Sequence, residues 1–130
     1  MTTIINASTT NGIVQTADGS GVLKVQSNGV TTNALAWVRL NSSGVVQSSY
    51  NIGSVTVNAG GDYTLNFATA LSDANYAVSG TSSDSPTYGR LVCVSESTAP
   101  TTSAVRVVSF TRASGALAAG SYMSFIIFGN

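Results

Sequence analysis

Asp18, Asp62, Asp73, Asp84 and Glu96 are the only acids in a 130-residue chain that has no histidine and a single cysteine, Cys93. General acid–base catalysis needs a titratable pair within reach of one substrate. These five are scattered, and each falls in or beside a turn signal. Asp62 follows Gly60-Gly61 and is expected to accept from backbone donors of that turn, while Asp73 before Ala74-Asn75 suits an Asx turn. A serine or cysteine nucleophile has no histidine to activate it, and zinc sites built from histidine and cysteine have no ligand set. Asp18-Gly19-Ser20-Gly21 has the start of a calcium loop but not its further oxygen ligands or closing glutamate. Gly12, Gly19, Gly21 and Gly29 are followed by no helix that would aim amides at a phosphate. The reading is therefore a non-enzyme with no catalytic residues, no metal and no cofactor.

The remaining candidates are recognition groups. Trp37, Tyr50, Tyr88 and Tyr122 are aromatics that stack on sugars when they share a face, but they are far apart in sequence. For Trp37, core or subunit packing is the favoured expectation. The polar stretches 81–87 and 96–103, with Pro86 and Pro100, read as loops that either recognise a partner or simply connect strands. Cys93 sits in the apolar run Leu91-Val92-Cys93-Val94 and is expected to be a buried small hydrophobe.

Those groups must be positioned by strands. Charged residues make up only 8 % of the chain, with five acids against five bases and a formal net charge of zero, where about a quarter is ordinary. The exterior has to be built from hydroxyls and amides. No basic stripe suits a nucleic acid, no apolar run approaches the roughly 18 residues of a membrane span, and the first residues lack a secretory signal. A surface so poor in charge does little to keep copies apart, so self-assembly is expected.

Short apolar runs separated by turn signals fill residues 21–130, which read as one β domain behind an extended N-terminal arm, 1–20. Tyr63, Leu65 and Phe67 alternate with Thr64 and Asn66 after the Gly60-Gly61 turn, the clearest hairpin in the chain. Ala36, Val38 and Leu40 share one face of a strand, with Leu35, Trp37 and Arg39 on the other. Residues 122–128 form an apolar strand with hydrophobic side chains on both faces, and 113–119 a loop. Eight or nine such strands with no credible helix predict an all-β fold, an antiparallel sandwich or jelly-roll-like domain. The expected core is Tyr63, Leu65, Phe67, Tyr76, Val78, Leu91, Cys93, Val105, Val107, Phe125 and Ile127.

Residues 35–129 resemble a module of tailed-bacteriophage virion-surface proteins, as in tail fibres and related appendages. The resemblance is carried by Ala36-Trp37-Val38, Asn41-Ser42-Ser43-Gly44, Tyr50-Asn51-Ile52, Gly61-Asp62-Tyr63-Thr64-Leu65-Asn66-Phe67, Asn75-Tyr76 and Phe125-Ile126-Ile127-Phe128-Gly129. It implies a β-rich virion component, homotrimeric, assembled in the host cytoplasm, with Trp37, Tyr63, Phe67 and Tyr76 as scaffold anchors. A short module with an arm is expected to suit a capsid decoration or cement protein that contacts the major capsid protein. The alternative is a tail-fibre or host-receptor-binding component. Ile4, Ile5, Ile13 and Val14 of the arm, with Met123, Ile126 and Phe128 of the last strand, are the expected docking residues against coat protein or sister subunits.

Overall fold

The alternating segments fold as ten strands with no helix among the described residues. The structure, a computed structural model, describes residues 26–27, 30–31, 34–83 and 89–129. The expected arm contacts at Ile4, Ile5, Ile13 and Val14 lie outside them. Strands β1 (Gln26–Ser27) and β2 (Val30–Thr31) form a small antiparallel pair. The others are β3 (Ala36–Asn41), β4 (Val46–Tyr50), β5 (Ile52–Ala59), β6 (Asp62–Phe67), β7 (Ala77–Ser82), β8 (Arg90–Val94), β9 (Ala104–Thr111) and β10 (Tyr122–Phe128). They make two four-stranded antiparallel sheets, in the orders β4-β3-β10-β7 and β5-β6-β9-β8. The fold is an all-β antiparallel sandwich.

The central strands of both sheets show why the layers pack. Period-two alternation turns Ala36, Val38 and Leu40 of β3 and Met123, Phe125 and Ile127 of β10 toward Tyr63, Leu65 and Phe67 of β6 and Val105 and Val107 of β9. All are buried, and each large side chain so removed from water contributes about 1.5–3 kcal/mol. Phe67 meets Tyr76 edge-to-face, with ring centroids 5.8 Å apart, and the Tyr76 hydroxyl reaches the Thr101 and Ala104 carbonyls at 3.0 and 3.1 Å. Burial pushes that phenol up from its ordinary value. Ser109 is the exception inside the core: its hydroxyl is fully buried with no hydrogen-bond partner.

Two turns depend on backbone geometry. At Gly61 φ is +91°, and a Cβ there would stand 2.6 Å from the Ser109 carbonyl oxygen and the Ala118 nitrogen, so only glycine fits this hairpin. Asn51, the single residue between β4 and β5, has φ +53° and carries the chain from one sheet to the other. Its side-chain amide donates to the carbonyls of Leu35 and Thr69, both at 3.1 Å, and its Oδ1 accepts from the Thr69 amide at 2.8 Å. Asparagine tolerates this left-handed conformation better than most residues, and the three bonds hold the crossing in place.

The expected core needs correction in β8. Leu91 is 49 % exposed and Cys93 is exposed too, while Val92 and Val94 pack on the core. All four residues are apolar, so alternation carried no phase. The pairing of Val92 with the inward Ser109, and of Cys93 with the outward-facing Val108 of β9, sets it. Tyr76 and Val78 are half-buried against the core rather than within it, and Ala36, Val38, Leu40 and Met123 join it. In urea denaturation, Val92→Ala should lower stability by about 1–2 kcal/mol and Leu91→Ala by no more than about 0.5 kcal/mol. The reverse ranking would contradict this phase of β8.

Candidate docking surface

The outer faces of the sandwich are polar over β5 and β6 and apolar in two places, the β8–β9 end with outward Leu91, Cys93, Val108 and Phe110 and one edge of the other sheet. On the β5-β6-β9-β8 sheet the outward side chains of β5 and β6 are hydroxyls and amides bonded to one another. Asn66 Nδ2 donates to Ser54 Oγ at 3.0 Å and Thr56 Oγ1 at 3.2 Å, and Asn58 Nδ2 donates to Thr64 Oγ1 at 3.0 Å and Asp62 Oδ1 at 3.1 Å. This is the amide-and-hydroxyl exterior that the composition required.

Asp62 belongs to that network, and its main partner is not the turn. Arg106 of β9 donates from Nε to Oδ1 at 2.8 Å and from Nη2 to Oδ2 at 2.5 Å, a two-pronged pair between residues 44 apart in sequence. These bonds, helped by Asn58 and opposed by partial burial, hold the Asp62 carboxyl below its ordinary value. A carboxylate so engaged on both oxygens is a structural group and a poor proton donor. Asp73 makes the expected Asx turn, its Oδ1 accepting from the Asn75 amide at 2.6 Å.

Because the folded pKa of Asp62 is depressed, its stabilisation is present above the unfolded value, close to 3.8, and is lost as pH falls through the folded value. Below about pH 4, wild-type protein should lose more of its urea midpoint than Asp62→Asn, which starts lower at pH 7. Parallel acid profiles for the two proteins would refute the role given to this pair.

The opposite outer face, on β4-β3-β10-β7, is apolar along one edge. Register places Tyr50, Trp37, Ile126 and Ser79 side by side across the four strands, and Phe128 lies two residues further along β10, opposite Ala77. Trp37, Tyr50, Ile126 and Phe128 are 36–41 % exposed, which for side chains of this size leaves on the order of 300 Å² of apolar surface open to water. The next row across the sheet is Ser48, Arg39, Ser124 and Thr81, and the Arg39 guanidinium lies over the Tyr122 ring at 4.8 Å from its centroid. The face therefore has an aromatic and aliphatic stripe bordered by small hydroxyls and one stacked cation, a surface suited to apolar contact rather than to bond chemistry.

The structure sorts the candidate residues accordingly. Ile126 and Phe128 lie on this open face. Met123 does not: it is fully buried in the core, because it has the inward phase of β10 shared with Phe125 and Ile127, so its place among the docking residues is corrected. Trp37 is likewise not an anchor inside the scaffold but an outer-face residue, whereas Tyr63 and Phe67 are in the core and Tyr76 packs against it. The fold also brings Trp37, Tyr50 and Tyr122 to one sheet face, a convergence invisible in their spacing. Tyr88 and Asp84 lie outside the described residues. Residues 81 and 82 extend β7 rather than opening a loop. The 96–103 connection is bonded to the scaffold, with Leu71 N donating to the Thr102 carbonyl at 2.8 Å and Thr101 Oγ1 accepting from the Ala104 amide at 3.0 Å.

Neither a family model, nor a curated protein, nor a solved structure matches this chain. The division between face and core is measurable: by thermal denaturation Ile126→Thr should stay within about 1 kcal/mol of wild type, whereas Met123→Thr should cost roughly 3 kcal/mol. Equal costs would mean that Ile126 is as deeply packed as Met123.

Proposed function

We propose that this protein is a non-enzymatic structural component of a virion, a capsid decoration or cement protein that assembles as a homotrimer and binds the major capsid protein. The observation that carries the reading is the exposed row of Tyr50, Trp37 and Ile126 with Phe128 beside it. An apolar stripe of this extent on a small domain with so few charges is a surface for burial against another protein. The resemblance of residues 35–129 to phage virion-surface modules supplies the kind of particle, and with it the trimer and the location. The second reading, a tail-fibre or host-receptor component, draws on the same resemblance and on the aromatics gathered at one face.

Position and copy number in an intact particle test the choice. A decoration protein occurs in hundreds of copies over the shell, and Ile126→Lys should abolish its binding to preformed capsids. A few copies confined to the tail would favour the fibre reading, and absence from particles would reject both. Sedimentation equilibrium should give about three times the 13.2 kDa chain mass, falling in Ile126→Lys; a monomeric wild type at micromolar protein would remove the trimer.

A further inference from the structure

We draw no further inference here: the strongest candidate, the apolar patch at the β8–β9 end where Leu91, Phe110 and Leu117 stand in one cross-strand row beside outward Cys93 and Val108, carries nothing because nothing in the structure shows what covers it.

Discussion

Burial of Tyr63 is the constraint on which the rest of the sandwich depends. Its ring lies in the core beneath the β3–β4 turn, where Gly44, with φ +76°, leaves no room for a Cβ: one there would stand 2.8 Å from the ring. Its hydroxyl donates to the Ser42 carbonyl and accepts from the Gly61 amide, both at 3.3 Å. One side chain thus ties the turn of one sheet to the hairpin of the other while filling the space between them. A buried phenol without those partners would lose on the order of 1–3 kcal/mol. With them, the turns are set at a fixed height above the core, and the strands that follow inherit their phase.

That phase produces unlike surface regions from one composition. In β6 the outward residues are Asp62, Thr64 and Asn66, which bond to neighbours on β5 and β9 and leave their face satisfied. In β3 and β10 the outward residues include Trp37, Ile126 and Phe128, which have no polar atoms to satisfy except the indole N–H and are left facing water. Hydrophobic burial is non-directional, so an open apolar face is a standing preference for cover.

Four charged residues among the described ones have structural partners. Asp62 is held by Arg106 and Asn58, Asp73 closes a turn, and Arg39 lies on Tyr122. A carboxylate held ionised by a guanidinium is unsuited to donate a proton at neutral pH, and its pairing lets a nearly neutral protein tolerate a buried charge in its sheet. Hydroxyls and amides bonded to one another on β5 and β6 then supply the polar surface that charge supplies in most domains.

Strict alternation made much of this legible from the chain alone: the hairpin at Gly60-Gly61, the inward Tyr63, Leu65, Phe67, Val105 and Val107, the loop at 113–119 and the all-β class each follow from period-two pattern and turn residues. Where alternation fails, pattern did not fix the phase: Phe125 and Ile127 took the expected inward places, but Leu91 and Cys93 turned outward and Met123 inward. Leu91, Val92, Cys93 and Val94 are apolar in both phases, and so is most of 122–128; which half turned inward was decided by the neighbouring strand, through register with Ser109 and Val108 in one case and with Leu40, Val38 and Ala36 in the other. The Asp62–Arg106 pair and the meeting of Trp37, Tyr50 and Tyr122 on one face likewise belong to the tertiary structure. Local pattern governs which side of a strand is apolar, because that depends on residues two apart. Which strands become neighbours, and which face or edge is left uncovered, depends on contacts between residues tens of positions apart, and those exist only once the sheets have paired.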